Sequence, residues 1–177
     1  MRWRVRLGYP LAILFLWLAQ PSPASILQGA ALALAGLAVR AAAAGALRKQ
    51  EELATGGIYA HTRNPLYFGS ALLAAGFIWT ARSWWVAVCA AVYFAVFYSA
   101  VMKREEGELQ ARFGDEFRAY AREVPLFFPR LTPVKRERKQ GRAFSWQQYA
   151  RNREWRAALG TLLVIALLFA KMKWLSY

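Results

Sequence analysis

Apolar residues fall into five long runs, at 7–19, 25–47, 66–80, 84–102 and 157–173, separated by polar segments of unequal length. Runs this long with almost no charge predict membrane helices. The expected fold is therefore all-α: one membrane domain spanning 1–177, a bundle of about five transmembrane helices. Segments 48–65 and 103–156 are polar and are expected to lie outside the bilayer, on one side of it.

The first run follows Arg2, Arg4 and Arg6. A charged start before an apolar stretch resembles a signal peptide, but Gln20-Pro21-Ser22-Pro23 is a poor cleavage site and more apolar runs follow. It is read as the first membrane helix, with Pro10 in its early turns, where a missing N–H costs least. The second run is alanine-rich, with Gly29, Gly36 and Gly45. In lipid, helices associate by close packing, so small residues predict a central helix. Arg40 interrupts it, either snorkelling to the interface or placing a charge toward a site within the bundle.

The third run has 15 residues, about 22 Å as a helix, against the roughly 30 Å of a hydrocarbon core. Either the bilayer thins there or the helix continues into the preceding loop. Gly69 and Gly76 lie close to one face and admit a ligand or a neighbouring helix. Ala81-Arg82-Ser83, flanked by tryptophans, predicts a tight helical hairpin between the third and fourth runs.

After the fourth run, Leu109, Phe113, Phe117 and Tyr120 recur at helical spacing, predicting an amphipathic surface helix with Gly114 inside it. Val124-Pro125 ends it, and Leu126-Phe127-Phe128-Pro129 forms an apolar plug. From Arg130 to Arg156 there are nine Lys or Arg against Glu137 and Glu154, mixed with Phe144, Trp146, Tyr149 and Trp155. That mixture suits an interfacial segment. The final run ends in Lys171, Lys173, Trp174 and Tyr177, an aromatic-belt pattern.

Composition sharpens this picture. The chain is 58% hydrophobic and 15% aromatic, more than one soluble core needs. A net charge of +14 would suggest nucleic acid in a soluble protein. Here the charge sits beside apolar runs, so anionic lipid headgroups are the expected partner and nucleic acid is not. Cys89 is the single cysteine, which excludes an intrachain disulfide, and no metal-ligand spacing occurs. The Lys and Arg concentrate at the N-terminus, in 48–65 and in 103–156, whereas 20–24 and 81–83 hold one arginine between them. Alternating helices put the basic segments on one face, which is then cytoplasmic, as expected for an integral protein of a bacterial-type inner or plasma membrane. The hairpin then brings the loop before Leu66 next to Glu105-Glu106, about 40 residues away in sequence.

That loop, 56–69, holds the one histidine, an Arg-Asn-Pro turn, two tyrosines and three glycines. A polar turn at the mouth of an apolar bundle is a candidate binding site. Gly57-x-Tyr59-x-x-x-Arg63-Asn64-Pro65-x-Tyr67-x-Gly69 resembles a membrane methyltransferase signature, Gly-x-Tyr-x-x-x-Arg-His-Pro-x-Tyr-x-Gly. Glu105-Glu106-x-x-Leu109-x-x-x-Phe113-Gly114-x-x-Phe117-x-x-Tyr120-x-x-x-Val124-Pro125 is similar to its downstream partner. Both belong to the isoprenylcysteine carboxyl methyltransferase and phospholipid N-methyltransferase superfamily, and the resemblance covers about 57–129.

The resemblance implies S-adenosylmethionine as cofactor and a lipophilic acceptor arriving from the bilayer, a phospholipid amine or an isoprenoid or fatty carboxylate. It implies a site built from Tyr59, His61, Arg63, Asn64, Pro65, Leu66, Tyr67, Gly69, Glu105 and Glu106. Arg63 would pair with the methionyl carboxylate, and Glu105 and Glu106 would hold the amino group or ribose hydroxyls. Arg63 and Glu106 are the residues expected to matter most for catalysis. The tyrosines offer a ring face and a hydroxyl each, and the helix opening at Pro65 offers free N–H groups. Asn64 stands where many members carry histidine; an amide does not titrate near neutral pH, so no proton transfer is assigned to it. Two other readings fit the same architecture: a nicotinamide-dependent reductase, as in sterol-reductase relatives, and a non-catalytic lipid-binding or transport protein.

Overall fold

A computed structural model describes residues 2–48, 52–134 and 144–175, with side chains described from residue 10 onward in the first of these. Lys135, Arg136, Arg138, Lys139, Arg142 and Tyr177 of the expected basic and aromatic segments lie outside the described residues. The helices are α1 (Arg2–Leu18), α2 (Pro23–Ala46), α3 (Pro65–Ala81), α4 (Trp84–Tyr93), α5 (Ser99–Glu123), α6 (Trp146–Arg151) and α7 (Trp155–Leu175). A 3-10 turn spans Gly57–Ala60, and a π turn, Phe94–Tyr98, joins α4 to α5. No strand occurs among the described residues.

Three helical units are long and apolar enough to cross a membrane: α2, α7 and the continuous stretch from Trp84 to Glu123. By the same measure α3, at 17 residues, is a shorter apolar helix. It begins at Pro65 and does not continue into the preceding loop. The helix expected to start afresh after residue 102 instead runs on from the fourth apolar run, because no proline stands between Tyr98 and Phe113 and the lone Gly107 is tolerated within a helix. The break comes at Gly114, whose φ of 50° and ψ of −118° suit a residue without a Cβ. Pro10 also differs from expectation. It lies inside α1, since the helix starts at Arg2; arginine is a good helix former and carries the helix N-terminal of the apolar run.

α2 starts with a complete cap. Ser22 accepts from the Ser25 amide while the Ser25 hydroxyl accepts from the Ser22 amide, and Pro23 occupies the first helical turn. α2 then runs antiparallel to α3, and the glycines explain how closely. A Cβ on Gly36 would lie 2.7 Å from the Gly69 carbonyl oxygen, and one on Gly76 would lie 2.5 Å from that of Gly29. Gly69 and Gly76 thus admit a neighbouring helix, as glycines do where backbones meet in lipid. Side chains lock the pair. The Ser25 hydroxyl donates to the Thr80 carbonyl at 3.1 Å, and the Thr80 hydroxyl donates back to the Ser25 carbonyl at 3.3 Å.

The bundle has two ends. At one end the hairpin turns through Arg82 in the left-handed region, and the Gln20 amide donates to the Ala81 carbonyl at 2.8 Å. Lys171 of α7 donates to the carbonyls of Leu16 and Trp17, which α1 leaves open at its C-terminus. A buried cluster of Ala19, Ala81, Val86 and Leu168 closes this end. The other end collects the C-terminus of α2, the loop 52–64, the start of α3, the α4–α5 junction, residues 124–134 and the α6–α7 turn.

Gly36→Val is expected to destabilise the fold by about 1–3 kcal/mol, the usual cost of overpacking where backbone cannot yield. Gly160→Ala, inside α7 where an added Cβ meets nothing within 4 Å, should raise stability by about 0.5–1 kcal/mol. Thermal unfolding in detergent checks both, and equal midpoints for Gly36→Val and wild type would contradict the packing assigned here.

Candidate functional site

The loop that opens α3 is held by a second segment, the strap of residues 124–134. The Arg63 amide donates to the Pro125 carbonyl at 2.9 Å, the Arg130 amide to that of His61 at 2.9 Å, and the Val134 amide to that of Ala60 at 3.1 Å. Side chains reinforce the seam. The Thr62 hydroxyl donates to the Phe127 carbonyl at 2.9 Å and the Asn64 amide group to that of Leu126 at 3.0 Å. The Tyr120 hydroxyl donates to the Tyr59 carbonyl at 2.7 Å. His61 Nδ1 lies 2.7 Å from the Arg130 carbonyl oxygen, so its bonding tautomer carries the proton on Nδ1. Phe117, Tyr120 and Val124 form a buried cluster behind the seam, with Leu53, Leu109 and Phe113 packed against it.

This seam divides the expected site residues. His61 and Asn64 spend their side chains on the strap. Tyr59 is buried, and burial pushes its phenol well above its usual range, with Tyr120 and Glu105 adding to the effect; the group stays neutral. Gly69 faces Gly36 and the Arg40 side chain and leaves no room for a ligand. Pro65 is buried, and the Leu66 carbonyl accepts from Arg40 and Ser70. The amides of Tyr67 and Phe68 donate to the Asn64 carbonyl at 3.1 and 3.0 Å, so they are not free anion donors.

Four of the expected residues meet at one mouth. Arg63 Nη1 forms an ion pair with Glu106, and the Tyr67 hydroxyl donates to Glu105 at 2.6 Å. The loop and the glutamate pair are therefore neighbours. The ion pair lacks hydrogen-bond geometry: Arg63 Nε and Glu106 Oε1 are buried without a hydrogen-bond partner among the described residues. Glu106 Oε1 is therefore held by the ion pair alone, while Arg63 Nε is a buried donor left over, which folded proteins ordinarily avoid. An aromatic wall borders them. Tyr98 meets the Tyr67 ring edge-on at 5.4 Å and stacks on Phe94 at 4.2 Å, while Phe127 reaches Phe68 and Phe94 at 5.8 Å each. The π turn supplies Phe94 and Tyr98 to this wall; π turns in otherwise regular helices often mark functional sites. Among the described residues, no group of three or more His, Cys, Asp or Glu is placed to hold a metal ion.

Arg40 does not snorkel. Its Nε pairs with Glu154, and its Nη1 donates to Ser70 and, at 3.2 Å, to the Leu66 carbonyl. Glu154 is buried in the turn between α6 and α7. Asn152 in the same turn donates to the carbonyls of Ala44 and Leu47, closing the end of α2, and Phe144 lies over Gly45. The C-terminal segment is therefore latched to the first turn of α3, beside Tyr67. Thr62, Glu154 and the π turn escaped the sequence reading. The Thr62 role needs the strap's position, and a glutamate in a basic run gives no sign of burial.

The sequence model of the phospholipid methyltransferase family matches residues 26–116. Two curated relatives are each 39% identical over 90 residues, 51% of this chain. They are the nickel-cobalt-cadmium resistance protein NccN of Alcaligenes xylosoxydans xylosoxydans and the cobalt-zinc-cadmium resistance protein CzcN of Cupriavidus metallidurans. The chain covers 42% and 41% of their lengths. No solved structure matches. The matched region holds α3, the Arg63 loop and the glutamate pair, and the chain belongs to the phospholipid methyltransferase family.

If the Arg40–Glu154 pair latches the C-terminal segment, Arg40→Met and Glu154→Gln each destabilise the protein, and together they cost less than their sum. The coupling energy should fall in the range of about 0.5–3 kcal/mol seen for contacting charged residues. Unfolding midpoints of the two single variants and the double variant measure it, and strict additivity would contradict the pairing.

Proposed function

We propose that this member of the phospholipid methyltransferase family is an S-adenosylmethionine-dependent methyltransferase whose acceptor is lipophilic and enters from the bilayer. The observation that carries the reading is the meeting of Arg63 with Glu106 and of Tyr67 with Glu105 at one mouth, with Arg63 Nε buried and without a hydrogen-bond partner among the described residues. A zwitterionic amino acid group needs that combination: a fixed guanidinium donor for its carboxylate and a carboxylate acceptor for its ammonium. Arg63 is assigned to the carboxylate and Glu106 to the ammonium. Glu105, already held by Tyr67, is assigned to a ribose hydroxyl.

When bound, S-adenosylmethionine supplies an electrophilic methyl group on a sulfonium, and its transfer discharges that cation. The chain's own contribution is to bind, orient and exclude water. The Tyr67–Glu105 bond fixes one wall of the mouth, and Tyr98, Phe94 and Phe127 supply an apolar wall against the membrane side. Ring faces are also suited to a positive charge nearby. No general base is assigned, because His61 and Asn64 are committed to the strap and Tyr59 is buried and neutral. The acceptor class is a phospholipid amine or a fatty or isoprenoid carboxylate. The active side is read as cytoplasmic, and the basic segment 130–156 as the part that meets anionic headgroups and presents the acceptor.

Arg63→Ala and Glu106→Gln should each weaken S-adenosylmethionine binding about ten- to a hundredfold, the worth of one charge-assisted contact. Calorimetric titration of detergent-purified protein tests this. Unchanged affinity in both variants would remove these residues from the site, and preferential binding of a nicotinamide cofactor would favour the reductase reading. A second expectation concerns presentation. Replacing Lys135, Arg136, Arg138 and Lys139 by glutamine should raise the apparent KM for a lipid acceptor in anionic liposomes and leave cofactor affinity unchanged. Equal kinetics in anionic and neutral liposomes would leave the segment with a topological role alone.

A further inference from the structure

The strap carries two apolar side chains that no described residue covers. Phe128 is 75% exposed and Leu131 98% exposed. They are not at the end of a floppy loop. Phe127, between the strap and the helices, packs on Phe68 of α3 and Phe94 of the π turn, and its ring meets Phe128 edge-on at 5.2 Å. The hydrogen bonds to Arg63, Thr62, Asn64 and His61 fix the backbone on either side.

The length of α3 sets the depth of this segment. Its 17 residues reach about 25 Å, some 5 Å short of a hydrocarbon core of about 30 Å. The far end of α3 carries Trp79 and is followed by Trp84 and Trp85, all exposed, which places that end at one headgroup interface. The near end, Pro65 to Phe68, then stops inside the edge of the hydrocarbon, and the strap that touches Phe68 sits at that level.

Irregular backbone survives at such depth when its polar groups are satisfied from within. The strap meets that condition along the edge that faces the 61–64 loop. The carbonyls of Pro125, Leu126, Phe127 and Arg130 all have partners in the 61–64 loop, and the Arg130 amide has the His61 carbonyl. Pro125, Pro129 and Pro133 have no N–H to satisfy. Between 124 and 134 the one charge is Arg130, and its guanidinium is folded back at 2.8 Å onto the carbonyl of Glu123, the last residue of α5.

We propose that residues 126–131 form a membrane-inserted lip, with Phe128 and Leu131 seated among the acyl chains of the leaflet that borders the mouth. Arg63, Glu105 and Glu106 then lie at headgroup level, with Tyr67 reaching Glu105 from just beneath, and a lipid arrives there by crossing the lip without leaving the bilayer. The inference concerns where the strap sits and holds whatever chemistry the mouth performs.

Cys89 is the single cysteine, so a Cys89→Ser background accepts one nitroxide label at a time. Labels are placed at Phe128→Cys and Leu131→Cys in the full chain reconstituted in phosphatidylcholine–phosphatidylglycerol vesicles. Leu162→Cys, on an exposed part of α7, serves as the lipid-facing reference, and Asp115→Cys as the aqueous one. Collision with molecular oxygen and with a water-soluble nickel chelate is measured at each position. The lip predicts that 128 and 131 match 162, with several-fold more oxygen than nickel contact relative to 115. Labels at 128 and 131 that behave as 115 does would overturn it. So would dipolar broadening between labels, which would mean that a second copy of the chain covers the surface. Both positions are exposed, so cysteine is tolerated, and Leu131→Cys alone decides the question if Phe128→Cys does not purify.

Discussion

Loop 57–64 and strap 124–134 complete each other's hydrogen bonding, and the geometry of the mouth depends on that. Neither segment is helical along its length, and each carries backbone groups that a bilayer edge would leave without partners. Zipped together through Arg63, His61, Ala60 and the side chains of Thr62 and Asn64, they become one rigid element. Its rigidity sets Arg63 opposite Glu106. Without the strap, a guanidinium on a mobile loop would find water, and its ion pair with Glu106 would not persist.

A second constraint carries the mouth at the correct angle to the helices. Glycine contacts at Gly29, Gly36, Gly69 and Gly76 let α2 and α3 meet backbone to backbone. Arg40 extends from that seam to the Leu66 carbonyl and to Glu154. An ion pair there is costly to bury, and its value lies in specifying one arrangement of α2, α3 and the C-terminal segment. Glu154 lies outside the family-matched region 26–116, whereas Arg40 lies within it. The latch thus joins the family-matched region to a part of the chain beyond it.

The helices were largely legible in the sequence, because long uncharged runs have few alternatives. The neighbourhood of loop and glutamate pair was also legible, since it follows from the hairpin at 81–83 and alternation of charge. Boundaries were less so. Nothing local marks the continuation of α4 through the π turn into α5, and Gly114 reveals itself as the break through its φ and ψ alone. At the mouth, sequence gave residue identities without partners. Gly69 belongs to the motif, Asn64 stands where the chain departs from it and His61 falls at an unspecified position within it, and the fold uses all three to hold the strap and to admit α2. Arg63, Tyr67, Glu105 and Glu106 are the motif residues whose polar side chains meet one another. A motif records which residues a site needs and does not separate those that touch a ligand from those that shape the loop.

The central claim is that this mouth transfers a methyl group to a lipid. Protein reconstituted in nanodiscs with a total bacterial lipid extract, given S-adenosylmethionine deuterated in its methyl group, tests it by mass spectrometry of the extracted lipids. The account predicts a lipid bearing the deuterated methyl with wild-type protein, and its loss with Glu106→Gln protein that still elutes and unfolds as wild type does. Undiminished labelling by Glu106→Gln protein, or no labelled lipid from wild-type protein that binds the cofactor, would contradict it.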